Sequence, residues 1–282
     1  MADTVGMQDL RGQLYDKVVK NYALREFKML PLCSIVKTNA WKNTYYQETD
    51  SDLTGGTGSA VAGVPRLAAF PQGNPSWTQT NEYVKKYGME VVISKEDSML
   101  DAIDVNARAL LRCARAVAYA VDAAIITELA TTTNTSAAAA TWDNAVVANR
   151  NPIYDILSAI EGMIIDNWDP TNGRGYVVLH PTNYKELMSH EDVKNSSRYY
   201  SSTVTENGKL EYVCGLQVVV SNSSTENTVL FGIKGDAMAW YEAEPLTTVT
   251  IDDPGVKTTI RSFTMGVPVL INNNAAYKLT AC

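Results

Sequence analysis

The sequence of 282 residues holds only two histidines and four cysteines, Cys33, Cys113, Cys214 and Cys282, widely scattered and without a CxxC pair. That spacing excludes a zinc ribbon or a dithiol redox motif and leaves free thiols in a reducing cytoplasm as the expected state. His180 and His190 stand on either side of a predicted helix, so they cannot form an HExxH-type zinc pair. Basic residues are outnumbered, 24 against 31 acidic, and the net charge of −7 argues against a dedicated nucleic-acid binder. No apolar run reaches the roughly 18 residues needed to cross a bilayer. The opening MADTVGMQDLRGQLYDKVVKNY has no secretory apolar core. No serine sits in a GxSxG elbow. The cluster Gly55-Gly56-Thr57-Gly58 lacks the Gly-Lys-Ser/Thr of a phosphate loop, and Val61 occupies the third glycine position of a dinucleotide fingerprint. The paired acids Glu242/Glu244 and Asp252/Asp253 flank turn-prone prolines and read as solvated loops or hairpin tips rather than acid–base pairs. Catalytic, cofactor-binding and metal-ligating residues are therefore assigned to none.

What the sequence does have is a stretch, Asp97 to Ala130, with neither proline nor glycine. Its apolar residues Leu100, Ile103, Ala107, Leu110, Ala114, Val117, Val121, Ile125 and Leu129 recur at steps of three and four, one face of an α-helix. Ser94 and Asp97 have the spacing of a capping pair. A rod of that length would reach roughly 50 Å, too long for a small domain. Ala107, Ala114, Ala118 and Ala124 favour close packing on a sheet over a leucine zipper. Arg108, Arg112 and Arg115 share another face. Asp104 is the one same-helix acid at pairing distance, and it serves Arg108. Three readings stand: a solvated face, charges that seek a partner at a subunit boundary, or a DNA contact.

In chain order, residues 1–39 read as an arm with one amphipathic helix carrying Leu10, Leu14, Val18, Val19 and Tyr22. Residues 40–93 read as a long hairpin. A first strand holds Tyr45 and Tyr46, the tip DSDLTGGTGSAVAGVPRLAAFPQGNPSW is rich in glycine and proline, and a second strand runs from Thr78 through EYVKKYGMEVVIS. Such a hairpin cannot bury both faces alone and needs a surface to lie on. The spine occupies 94–134, with TTTNTSAAAATWDN as a boundary. Residues 135–240 form a compact α+β unit: a helix opened by Asn151-Pro152, a buried strand YVVLH, a short helix from Pro181, and strands at 210–213, 216–220 and 229–231. Residues 241–282 supply closing strands, LTTVTI, VKTTIRSFTM and VPVLINNNAAYKLTA, long enough to cover the spine.

This order of elements resembles the major capsid proteins of tailed double-stranded DNA viruses with the HK97 fold. The segments VVLHPTNYKEL, VLFGIKGDAMAWYEAEPLTTVTIDDP and IRSFTMGVPVLINNNAAYKLT carry the closest likeness. The resemblance implies an α+β, HK97-like fold with the hairpin as extended E-loop, the long helix as spine of the P-domain, the compact unit as A-domain and residues 241–282 as closing strands of P-domain and A-domain. It implies a structural protein, not an enzyme, without cofactors. Copies would assemble into an icosahedral shell of hexamers and pentamers around viral DNA, in the virion capsid, built in the host cytoplasm. Scaffolding, decoration and portal proteins are the implied partners, with no membrane. Inter-subunit contacts are expected at Tyr45, Tyr46, Leu53, Leu67, Phe70, Trp77, Arg108, Arg112 and Arg115.

Two departures from the family matter. Some members fuse a scaffolding segment to the N-terminus; a chain beginning at Met1 with a short arm implies a separate scaffold or none. Others join a hairpin lysine to a P-domain asparagine with a glutamate as base, but there is no lysine between Asn43 and Val84, and neither asparagine nor glutamate between Asp252 and Gly266. The runner-up reading is an encapsulin-like nanocompartment shell; a rival of another class is a soluble hydrolase.

Overall fold

The Asp97 backbone N–H donates to Ser94 Oγ at 3.0 Å, capping the short helix α1 (Lys95–Leu100), and the long helix α2 follows over Val105–Leu129. The computed structural model describes residues 17–23, 26–48, 64–69, 77–100, 105–191, 193 and 210–282. The expected single rod is therefore seen as two helices, with 101–104 outside the described residues. The face foreseen from the spacing is the buried one, including Leu110, Ala114, Val117, Val121, Ile125 and Leu129.

One side of this helix meets a four-stranded sheet of order β1-β10-β11-β4, made of β1 (Ser34–Lys37), β4 (Lys85–Ser94), β10 (Met238–Asp253) and β11 (Lys257–Leu270). Alternation buries Ile93 and Ile260 against Ala109, Leu110, Cys113 and Ala114 of α2, and Val19 and Ala23 of the helical arm residues 17–23 close the cluster. Alanines at 109 and 114 let the helix axis approach the strands. Further along, Val117, Val121, Ile125 and Leu129 enter a second, larger core with Trp142, Ile156, Tyr176, Phe231 and Trp240.

That core belongs to a six-stranded mixed sheet of order β5-β12-β9-β6-β8-β7, comprising β5 (Thr135–Ala137), β6 (Gly175–Leu179), β7 (Tyr212–Val213), β8 (Leu216–Val220), β9 (Thr228–Ile233) and β12 (Ala276–Thr280). The central β6 is buried at every residue, as the uninterrupted apolar run of YVVL requires. Helix α3 (Pro152–Ile165) starts at Asn151, whose side chain accepts from Tyr154 N at 3.3 Å, with Pro152 in the first turn. Helix α4 (Pro181–Ser189) is capped by His180, whose Nδ1 accepts from Thr182 N at 3.3 Å.

Three expectations need correction. The strand read from Thr78 to Ser94 is two: β3 (Trp77–Tyr83) stays in the hairpin, and after buried Val84 the chain joins β11 as β4. The stretch TTTNTSAAAATWDN is ordered: β5 pairs in parallel with β12, and Trp142 is buried with Nε1 donating to Asp155 Oδ2 at 2.9 Å. VPVLINNNAAYKLTA does not cover the spine as one strand. It ends β11 and, after the Asn272–Asn274 turn, becomes β12 of the other sheet. The arm also contributes β1, parallel to β10 from Ser34↔Ala239 to Lys37↔Glu242. Each change reflects partner choice across the chain, which local periodicity does not encode.

The arm is held by one buried carboxylate. Asp122 of α2 accepts from the backbone N–H groups of Lys28 (2.7 Å), Met29 (3.1 Å) and Leu30 (3.4 Å), capping the 3-10 turn Leu30–Leu32. Lys28 Nζ then donates to Val220 O at 2.7 Å, and Gly235 N donates to Leu32 O at 2.9 Å. Burial raises the Asp122 pKa, while the three N–H donors and Lys28 pull against it. Asp122→Ala leaves those donors unpaired in a dry site, so a loss on the order of 3 kcal/mol is expected in denaturant unfolding. A change under about 0.5 kcal/mol would mean that the joint is ornamental.

Candidate functional site

The hairpin is made of β2 (Lys42–Glu48) and β3, paired antiparallel from Lys42↔Tyr83 to Glu48↔Trp77. Side chains alternate between its faces. Asn43, Tyr45 and Gln47 turn to the body: Tyr45 packs on Val267 and Val269, Gln47 Nε2 donates to Leu270 O at 2.6 Å, and Asn43 Oδ1 accepts from Thr38 Oγ1 at 2.6 Å. Tyr46, on the other face, is 61% exposed, as is most of Tyr83. The two adjacent tyrosines thus have opposite fates, which the two-residue period could have told from the sequence. Tyr45 is covered by its own subunit; Tyr46 is free to be covered by something else.

Leu67 is fully exposed with a left-handed φ of 66°, a conformation that costs a branched side chain energy. Trp77 opens β3 opposite Glu48. Leu53 and Phe70, with most of the hairpin tip, lie outside the described residues.

Beneath the hairpin base, Glu128 of α2 is half-buried beside Tyr45, Thr80 and Asn273 in a polar cleft of about 430 Å³. Burial raises its pKa, and Glu82 of β3 adds to the rise; the Leu270 N–H and Lys85 act the other way. A carboxylate with a raised folded pKa binds its proton more tightly in the folded chain. Its stabilising contribution is therefore largest below the ordinary glutamate range and is lost as pH rises through the folded value. Glu128→Gln should raise the melting temperature at neutral pH and flatten its decline from acid to neutral. A lower melting temperature at neutral pH would show that the ionised carboxylate is needed.

On the outer face of α2, Arg108, Arg112 and Arg115 are exposed, with Tyr119 one turn on. Arg115 Nε meets Glu26 Oε1 of the arm at 2.9 Å, a partner that sequence spacing could not reveal. Asp104, the expected partner of Arg108, lies outside the described residues. Arg112 has no ion pair among the described residues.

The remaining groups are structural. His190 Nε2 contacts Arg150 O at 2.9 Å. Burial pushes all four thiols up, Cys33 and Cys282 to about 12, the reverse of an activated nucleophile. Glu242 and Glu244 sit at a register shift in β10 rather than in a loop, where Thr264 Oγ1 donates to Glu244 O at 2.9 Å. Asp252 and Asp253 are exposed at the β10–β11 turn, which Gly255 closes with φ 84°. Among the described residues, no three His, Cys, Asp or Glu side chains are grouped to hold a metal.

A sequence profile of the family described as phage capsid protein matches residues 77–279, well over half of the chain. The chain belongs to the phage capsid protein family. No curated protein matches it by sequence. Its fold is that of solved shell proteins. The capsid protein of cyanophage P-SCSP1u superposes with a TM-score of 0.69 at 17% identity, over 91% of this chain and 88% of that one. The mature capsid of bacteriophage PhiM1 gives 0.65 at 13%, over 90% and 86%. A virus-like particle from Pyrococcus furiosus gives 0.65 at 10%, over 95% and 99%. The architecture is the HK97-like one, a mixed α+β fold, and the protein is a major capsid protein with a structural role. Homo-oligomeric assembly and a place in the virion capsid follow from the same kinship.

Proposed function

We propose that copies of this chain close into an icosahedral shell of hexamers and pentamers that encloses double-stranded DNA, assembled in the host cytoplasm with portal, decoration and scaffolding proteins as candidate partners. The observation that carries this reading is the family match over 77–279, on a fold whose hairpin covers one face and leaves Tyr46 and Tyr83 exposed on the other. In this reading the hairpin β2–β3 is the extended loop that lies on a neighbour. The four-stranded sheet with α1 and α2 is the peripheral domain, and the six-stranded sheet with α3 and α4 is the axial one. Tyr46, Leu67, Arg108 and Arg112 are then contact residues between subunits. Many weak contacts of this kind, closed into a shell, add up to a stable particle.

Negative-stain microscopy of the purified protein should show closed particles of uniform size. Arg112→Glu should leave the subunit folded and reduce the yield of particles several-fold, since a guanidinium that meets an acid in a neighbour becomes a repelled carboxylate. A wild-type protein that stays monomeric at high concentration overturns the shell; normal yield from the variant returns Arg112 to solvent. Nuclease-protected DNA in particles from infected cells separates a genome shell from a compartment with protein cargo.

The shell is held without covalent links. An isopeptide bond needs a lysine amine against an asparagine amide with a base at hand, and neither the hairpin between Asn43 and Val84 nor the segment between Asp252 and Gly266 supplies that set. Boiled and reduced particles should run as one band near 30.8 kDa. A ladder of higher oligomers would refute this.

A further inference from the structure

Of the strands at the ends of the two larger sheets, β1 has four residues, β5 three and β7 two. The remaining end strand is β4, ten residues long. It pairs with β11 from Lys85 to Ser94 without a bulge, and among the described residues no strand lies on its other side. A long, regular edge is a template for pairing with another chain, and proteins that stay single shorten, bulge or cover it. Lys95 N donates to Val256 O at 3.0 Å. By alternation the odd residues of β4 turn their N–H and C=O groups to β11, while Lys86, Gly88, Glu90 and Val92 turn theirs outward. All four are exposed, and at Gly88, which has no side chain, that exposure is open backbone. Their side chains share the sheet face away from α2, because Val91 and Ile93 face the helix.

We infer that this edge pairs with the same edge of a second copy, antiparallel and centred on Gly88. Charge sets the register. About a two-fold axis at Gly88, Lys86 of each chain comes opposite the partner's Glu90; centring on Lys86 or on Glu90 would set like charges against each other. Both groups have room for this contact. Arg261 binds Glu90 through Oε2 alone, from Nε and Nη2 at 2.8 Å, which leaves Oε1 for a second cation. The Lys86 ammonium lies over the Phe263 ring, 4.5 Å from its centroid, on the same face. Positions 86 and 90, 88 and 88, and 90 and 86 then exchange N–H···O bonds in pairs, and two four-stranded sheets become one continuous sheet across the subunit boundary. The inference rests on homo-oligomeric assembly and holds whether or not the shell is closed.

The test uses full-length protein carrying Lys86→Cys or Glu90→Cys; Gly88 is left intact because a Cβ there would meet Phe263 Cβ at 2.8 Å. In a hydrogen-bonded antiparallel pair the Cα atoms are about 5.5 Å apart, within disulfide reach. Positions 86 and 90 of one strand are about 13 Å apart and cannot close on each other. Oxidising the two single variants mixed should give a covalent dimer on a non-reducing gel, and either variant alone should match the wild-type background, in which Cys33, Cys113 and Cys282 are buried. Glu90→Lys should weaken dimerisation of free subunits about tenfold in sedimentation equilibrium, and Lys86→Glu combined with Glu90→Lys should restore it. Loss of the Arg261 contact is common to both, so the restoration reports the contact across the dyad. If Glu90→Lys does not fold, the cysteine pair decides. The proposal falls if the mixed cysteines do not link, if either variant alone links as fast, or if the folded double variant stays as weak as Glu90→Lys. Closed particles without the cross-link discard this pairing and keep the shell; the cross-link in a protein that forms no particles does the reverse.

Discussion

One face of one helix is shared between two cores. The first turns of α2, through Ala109, Leu110, Cys113 and Ala114, seal the four-stranded sheet, while its last turns, through Val117, Val121, Ile125 and Leu129, are part of the core beneath the six-stranded sheet. Burying a large aliphatic side chain contributes about 1.5–3 kcal/mol, so Val117, Val121, Ile125 and Leu129 bind the last turns strongly, while the first turns rely on Leu110 and on the close approach that Ala109 and Ala114 allow. Neither sheet can shift against the other without bending the helix or opening one of the cores. The strands repeat the arrangement. β11 passes from Lys257 in the four-stranded sheet to Leu270 in the larger core, and β12 follows after three asparagines, of which Asn273 binds Thr132 and Thr133 at the end of the helix. Bracing of this kind resists shear between the two sheets, which suits a structural role.

Polar contacts at their bases add to the apolar packing by which the arm and the hairpin are attached to this body. Asp122 holds residues 28–30 through three backbone donors, and Arg115 meets Glu26. The hairpin rests on Tyr45, Gln47 and Asn43. The two attachments differ in strength. Asp122 is buried and its donors would be stranded without it, whereas Arg115–Glu26 is exposed and worth at most about 1 kcal/mol. Under the hairpin, burial and the neighbouring Glu82 both work against ionised Glu128, so this support is weakest where that group is charged.

The family and the fold answer different questions. Likeness at 10–17% identity to phage capsids and to a virus-like particle of Pyrococcus furiosus establishes the shared architecture. The match to the phage capsid family over 77–279 is what separates this chain from other users of that architecture. It begins at Trp77 and so spans β3, both sheets and the spine, with β1 as the one strand of the larger sheets left out.

By itself the sequence determined the local elements. The steps of three and four from Leu110 to Leu129, the cap at Ser94, the Asn151-Pro152 helix start and the apolar run of YVVL all correspond to observed structure, because each depends on neighbours within a turn or two. The order of those elements was enough to suggest the fold family. Tertiary structure alone decided which strands pair. It divided Thr78–Ser94 between hairpin and sheet, sent Ala276–Thr280 into the six-stranded sheet, and drew β1 out of the arm. It also decided what surrounds each charged group: that Asp122 is buried under the arm, that Glu26 answers Arg115, and that Tyr45 faces inward while Tyr46 faces solvent. Strand pairing and burial are set by the partner across space, and a partner nearly a hundred residues away, as Lys28 is from Asp122, leaves no periodic mark on either segment.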